Sequence, residues 1–136
     1  MLQRLDPVKF SPLMLIEQIP KERHDQIRSV YARVGYKGGI KEDDVAFLAI
    51  ANGNPVGAVR LCIEEGVMIL RGMMVHPDYQ RQGIGRALLK ALDPAIGNEL
   101  CYCVNPPYLK DFYGSIGFEE IEKKKAPSFL IHRLET

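Results

Sequence analysis

The sequence predicts a mixed α/β fold of the α+β type, with one largely antiparallel central sheet of about six to seven strands flanked by helices. Three observations carry this expectation. Apolar residues recur at helical spacing in two runs, at Ile27, Val30, Tyr31 and Val34 and at Ile84, Leu88 and Leu92. Between those runs lie three apolar segments separated by turn residues, as in a meander of strands. After the second run, short apolar segments return around one more helical stretch, an order that packs helices on a sheet.

Each element follows from its own residues. After Pro20 the stripe Ile27, Val30, Tyr31 and Val34 forms one face of a helix, which Gly35 and then Gly38-Gly39 end. Val45 to Ala51 reads as a strand, and Asn52-Gly53-Asn54-Pro55 as a tight turn in which Asn-Gly supplies positive φ; Val56 to Ile63 is the antiparallel partner. Glu64-Glu65-Gly66 turns the chain into Val67 to Val75, with both glutamates read as solvated turn residues. The stripe Ile84, Leu88 and Leu92 gives a second long helix that Asp93-Pro94 is expected to stop. Leu100 to Val104 is a short strand. Asn105 suits an N-cap and Pro106-Pro107 a first turn, so Leu109, Phe112 and Ile116 line the buried side of a short helix ending at Gly117. On that spacing Tyr113 turns to a neighbouring face. Phe118 to Glu122 and Phe129 to Leu134 are expected to close the sheet as a strand pair around Ala126-Pro127-Ser128.

Composition narrows the function classes. A chain of 136 residues, 46% hydrophobic and 26% charged, fits one globular domain spanning 1-136. Its formal net charge of +1 supplies no field that would recruit nucleic acid or an acidic membrane. Lys123, Lys124 and Lys125 form a local basic run, read as a solvated strand edge. No apolar run approaches the roughly 18 residues that span a bilayer. The N-terminal stretch MLQRLDPVKFSPLMLIEQIP has one short apolar segment and no small-residue cleavage site, so a cytoplasmic location is expected. Cys62, Cys101 and Cys103 are an odd, sparse set that reads as small buried hydrophobes, with neither a disulfide framework nor a metal site.

The stretch VHPDYQRQGIGRALL, residues 75 to 89, carries the chemistry. Residues without side chains between a strand end and a helix start let backbone N–H groups converge, and the helix dipole adds positive potential, so a phosphate-type anion is favoured there. A Walker loop is excluded because Gly85 is followed by Arg86-Ala87, and a dinucleotide fingerprint because the third glycine is replaced by Leu88. Taken alone, the two glycines are equally consistent with a turn that only eases strand-to-helix packing.

Two linked motifs point further. Gln80-Arg81-Gln82-Gly83-Ile84-Gly85 resembles the Q/R-x-x-G-x-G/A signature of the GNAT superfamily of acyl-CoA-dependent N-acyltransferases, placed after a strand ending in Met73-Met74-Val75. Downstream, LKDFYGSIGFEEI resembles the family's second signature, an aromatic-Tyr pair followed by Gly-Phe. The resemblance extends from about Val45 to Leu134.

It implies acetyl-CoA as cosubstrate and an amine of a small molecule or protein as acceptor, with no metal, in a monomer or homodimer. The backbone amides of Arg81, Gln82, Gly83, Ile84, Gly85 and Arg86 would bind the CoA diphosphate. Main-chain groups of Met73, Met74 and Val75 would pair with the pantetheine arm as an added strand does, and a backbone N–H near Val75 would stabilise the oxyanion. Asn105 corresponds to a position touching that arm, or serves as a plain helix cap. Tyr113 falls at the family's acid position; an ordinary tyrosine, with a pKa of about 10, keeps its proton at neutral pH. Many members place a glutamate on the strand before the loop, whereas Val67 to Val75 holds no acid. His76 is a candidate base, and a water chain ending on backbone carbonyls is another. The acceptor side corresponds to Gly35 to Lys41, short and glycine-rich. The missing acid leaves a second reading, a non-catalytic acyl-CoA-binding or sensor module.

Overall fold

The computed structural model describes residues 1–3 and 14–135, so most of the N-terminal stretch considered above, 4–13, lies outside the described residues. The chain divides into two compact units, Met1–Val104 and Asn105–Thr136.

The first unit holds a sheet of five strands in the order β1-β2-β3-β4-β5: β1 (Met14–Ile19), β2 (Val45–Ala51), β3 (Asn54–Glu64), β4 (Val67–Val75) and β5 (Cys101–Cys103). β1 to β4 form an antiparallel meander and β5 joins β4 in parallel. The Asn52-Gly53 turn has φ of 51° and 81°, the positive pair that a two-residue hairpin requires, and Glu65-Gly66 repeats it at 50° and 77°. β1 had no counterpart in the sequence reading. It is an edge strand with only Ile19 buried, so it shows little apolar patterning.

Helix α1 (His24–Val34) covers one face of the sheet through Ile27, Val30 and Tyr31, which pack with Ile19, Ala46, Leu48 and Ala58. Gly35, at φ 75°, ends it, and the Tyr36 N–H returns to the Tyr31 carbonyl at 2.9 Å. Helix α2 (Ile84–Ile96) packs on the opposite face with Ile84, Leu88, Leu89, Leu92 and Ile96 buried. Contrary to expectation it passes through Pro94. That ring lies on the exposed side, and continuing one more turn buries Ile96 four residues after Leu92.

The second unit departs further from the sequence reading. It contains α3 (Lys110–Gly114) after a 3-10 turn at Pro107–Leu109, and α4 (Ser128–Glu135) after another at Lys123–Lys125. Residues 118–122 form no strand, and the segment expected as the last strand is α4, started by Leu130 and Ile131 N–H bonds to the Pro127 carbonyl at 3.0 and 3.2 Å. A run as short as Phe129-Leu130-Ile131 does not distinguish strand from buried helix, and Pro127-Ser128 is a helix-start signal. This is why the described residues hold five strands and not six or seven. The lysine run is exposed, as read, but sits on a turn and not a strand edge.

The feature that shapes the site is a bulge in β4. Ala58 pairs with Met74 and Arg60 with Arg71, so Val59 alone faces both Gly72 and Met73. Gly72 is left-handed at φ 67°, and its carbonyl accepts a hydrogen bond from the Tyr31 hydroxyl at 2.9 Å. A Cβ at this position would collide with the Tyr31 hydroxyl and with Nη1 of Arg60. We therefore expect Gly72→Ala to combine left-handed strain with loss of a buried hydrogen bond, destabilising the fold by roughly 2 to 5 kcal/mol in denaturant unfolding. An unchanged midpoint would show that the bulge is not held as described.

Burial also sets an alkaline limit. It pushes the Tyr31 hydroxyl from 10.0 to about 12, against the opposing pull of Arg60, and lifts the Cys62 and Cys101 thiols from 9.0 to about 11. Raised values mean that the unfolded chain loses these protons first. Their contribution to stability is complete below pH 9 and is lost as pH climbs through 11 and 12. Tyr31→Phe should flatten the part of that decline lying between pH 10 and 12, read from unfolding free energies across the range.

Candidate functional site

β4 is flanked on both sides only at its start. β5 pairs with Met68, Ile69 and Leu70, while β3 stays with β4 to Val75. From Arg71 to Val75 the edge that β5 would occupy therefore carries no strand among the described residues. The His76 N–H donates to the Val56 carbonyl at 2.8 Å, and Val75 lies opposite Gly57. By the alternation of an antiparallel ladder, Met74 uses its main-chain groups on Ala58, while Val75 directs its N–H and C=O to the open edge. Of the three expected edge residues, Val75 faces outward, Met74 pairs inward, and Met73 belongs to the bulge.

The chain then folds back on itself. A 3-10 turn at Pro77–Tyr79 is capped by His76, whose Nδ1 accepts from the Asp78 N–H at 3.2 Å. Gln80 Nε2 donates to the Val75 carbonyl at 3.0 Å, tying the loop to the strand end. Arg81 and Gly83 are both left-handed, at φ 64° and 80°. Gly83 is the N-cap of α2, so no side chain satisfies the helix start, and the Ala87 N–H donates to the Gly83 carbonyl at 3.0 Å. The amides of Ile84, Gly85 and Arg86 precede that bond and have no carbonyl one turn back within the helix. A Cβ at Gly83 would touch nothing, so the space in front of the cap is open. The side chains of Arg81, Gln82 and Arg86 are exposed. The free edge of β4 is thus followed, past the turn at Pro77–Tyr79, by a helix start whose first amides are uncapped and face open space.

Beneath the bulge lies a polar cluster that the sequence reading missed. Arg60 is buried, with Nη1 donating to the Tyr31 hydroxyl at 3.0 Å and the Tyr36 hydroxyl at 3.3 Å, and Nε lying 3.5 Å from Asp44 Oδ2. Asp44 also accepts from the Lys41 N–H at 2.9 Å, and the Tyr36 ring meets Tyr31 edge-on at 4.5 Å. The segment of Gly35 to Lys41 is therefore anchored at both ends. A charged residue within the apolar run of β3 was the available signal. Glu64 also corrects the reading: only 13% of its side chain is exposed and it pairs with Arg71, so it is no solvated turn residue. Glu64 opposes Val67 at the start of β4, far along the strand from Val75.

His76 is half-buried. An accepting Nδ1 leaves the neutral ring's proton on Nε2, so action as a base requires giving up the cap.

Within the second unit, Asn105 does not cap a helix: its Nδ2 donates to the Pro106 carbonyl at 3.2 Å, and Pro106 and Leu109 are the residues preceding the 3-10 turn and α3. Tyr113, not Phe112, is the buried aromatic, with ring centroids 4.9 Å from Phe112 and 6.1 Å from Phe118 in edge-on geometry. Among the described residues no group of three metal-ligating side chains occurs and no helix is long and apolar enough to cross a membrane.

Known proteins share this architecture. A GNAT-family acetyltransferase from Streptococcus pneumoniae superposes with a TM-score of 0.64 at 24% identity, covering 85% of this chain and 94% of that one. The aminoglycoside acetyltransferase AAC(6')-Iy, solved with a CoA-linked bisubstrate analogue of acetylneamine, gives 0.61 at 20% identity over 81% and 93%. A glucosamine-6-phosphate N-acetyltransferase from Arabidopsis thaliana gives 0.62 at 11% identity over 81% and 94%. No curated protein matches the chain. The family model of the acetyltransferase (GNAT) domain matches residues 42–120, from the approach to β2 past α3, and takes in both the loop and the Phe112-Tyr113 motif. The chain belongs to the GNAT family of acetyltransferases.

Proposed function

We propose that the chain transfers an acetyl group from acetyl-CoA to a primary amine of a small molecule, or of a protein, by direct attack, in the cytoplasm. The observation that carries this reading is the free edge of β4 followed, across the turn at Pro77–Tyr79 that Gln80 ties back to Val75, by the uncapped start of α2. An extended diamide and a diphosphate, in that order, match those two surfaces. The aminoglycoside and glucosamine-6-phosphate enzymes of the same fold support an amine acceptor.

Acetyl-CoA supplies an activated acyl group and a thiol leaving group. In this reading the amides of Arg81 to Arg86 hold the diphosphate, and Gln80 keeps them in register with Val75 through its bond to the strand end. Main-chain groups along Met73, Met74 and Val75 are offered to the pantetheine arm, and a backbone N–H near Val75 to the oxyanion. Asn105 is offered for the pantetheine arm. Tyr113 donates the proton that the departing thiolate needs, and His76 or a water chain removes the proton of the amine. The acyl-CoA sensor is the second reading, favoured by one observation: Arg71, the charged residue of β4, is engaged with Glu64, and that strand offers no acid.

CoA and acetyl-CoA should bind comparably in calorimetry and pantetheine far more weakly, because the diphosphate carries the anion contact. Gly85→Val should abolish binding with the fold intact. Equal affinity for pantetheine would remove the loop from recognition.

Acetyl-CoA presented with a panel of amines should yield a product heavier by one acetyl group. With the acceptor so found, Tyr113→Phe should retain CoA affinity and lose about 10²- to 10⁴-fold in kcat, the usual contribution of a positioned acid. Native turnover in that variant would return the hydroxyl to a packing role, and acetyl-CoA binding with no acceptor in the panel would favour the sensor.

A further inference from the structure

The geometry points to Tyr31 and Arg60 as positioning residues that act on the acyl group through the Gly72–Met73 peptide, an inference that rests on the acetyl-CoA reading above. Gly72 carries the only left-handed residue within the described length of β4, and its carbonyl takes the Tyr31 hydroxyl of α1 at 2.9 Å. That hydroxyl in turn accepts from Arg60 Nη1 at 3.0 Å. The donor at the end of this chain is a buried cation: only 6% of the Arg60 side chain and 3% of the Asp44 side chain are exposed.

A hydrogen bond to a peptide carbonyl draws charge toward oxygen and leaves the N–H of the same peptide a stronger donor. Hydrogen bonds in series reinforce one another, most in a buried site. The N–H of the Gly72 peptide belongs to Met73. In a trans peptide it points opposite to the carbonyl, hence away from Tyr31. Met73 follows the point where β4 has lost β5 and shares with Gly72 the single opposing residue Val59. The cation of Arg60 is thereby coupled to the Met73 N–H, the donor assigned here to the acyl carbonyl, without any charged group entering the site.

Packing alone would explain a tyrosine ring here, but not a hydroxyl with a buried arginine behind it. Asp44 holds the guanidinium from the other side, although Arg60 Nε makes no hydrogen bond among the described residues.

The test needs no acceptor. The full chain is saturated with acetyl-CoA labelled with heavy carbon at the thioester carbonyl, and isotope-edited infrared spectroscopy reads the carbonyl stretch, with calorimetry on the same samples. The native chain should lower the frequency relative to free acetyl-CoA, and Tyr31→Phe should lose most of that lowering while keeping its affinity for CoA. Tyr36→Phe disturbs the same cluster but leaves the Tyr31 relay, and Val30→Ala destabilises the neighbouring core; both should keep the native shift. If Tyr31→Phe does not fold, Arg60→Lys should show an intermediate shift. The same shift in Tyr31→Phe as in the native chain, or no lowering in the native chain, overturns the inference while acetyl-CoA binding still stands. Failure of the native chain to bind acetyl-CoA removes the underlying reading as well.

Discussion

The site depends on a single change of partner along β4. From Met68 to Leu70 the strand is flanked on both sides, and after it β3 is the only neighbouring strand among the described residues. An unpaired strand edge inside a small protein exposes main-chain donors and acceptors, which is costly unless something fills it or water reaches it. Here the departure coincides with the bulge at Gly72, and the bulge is held by Tyr31 with Arg60 behind it. Burying an arginine and an aspartate adds little net stability in general. Its consequence in this fold is geometric: the strand cannot straighten and re-pair without breaking that cluster.

From the bulge onward each element constrains the next. Val56 accepts the His76 N–H, Gln80 reaches back to Val75, and two left-handed residues turn the chain into α2. The helix then starts without a side-chain cap, with Leu88, Leu89 and Leu92 buried behind it. The loop is thus held against a rigid support at both ends, while its own amides stay available. The electrostatics are local. A net charge of +1 gives no long-range attraction, so an anion is held by peptide dipoles at close range and by the exposed Arg81 and Arg86 only weakly.

Much of this was legible in the sequence, for identifiable reasons. The α1 stripe, the three central strands, the Asn-Gly turn and the glycine loop each follow from strong periodicity or from a backbone conformation that few residues adopt. The weak points were segments where local pattern and tertiary burial disagree. β1 buries one residue fully and so gave almost no signal. Pro94 sits in a helix because Ile96 gains a buried place beyond it. The apolar run from Phe129 is only three residues long before His132 and Arg133, and its neighbours decide that it is helical. At the site, the loop amides were readable because glycine marks them. The Tyr31–Arg60–Asp44 cluster was not, because its members stand far apart in sequence and meet only when α1 lies on the sheet. In sequence His76 could be read as a candidate base or as ordinary turn material, and the fold uses it as a turn cap.

The central claim is that main-chain amides of one loop and one strand edge recognise CoA. Backbone amide chemical-shift mapping during a CoA titration tests it most directly, because each amide reports separately. The account predicts the largest changes at Gly83, Ile84, Gly85, Arg86 and Val75, with the inward-facing Met74 amide moving less. Saturable binding whose changes fall on α1 or β1 and leave the 81–86 amides unmoved would contradict it.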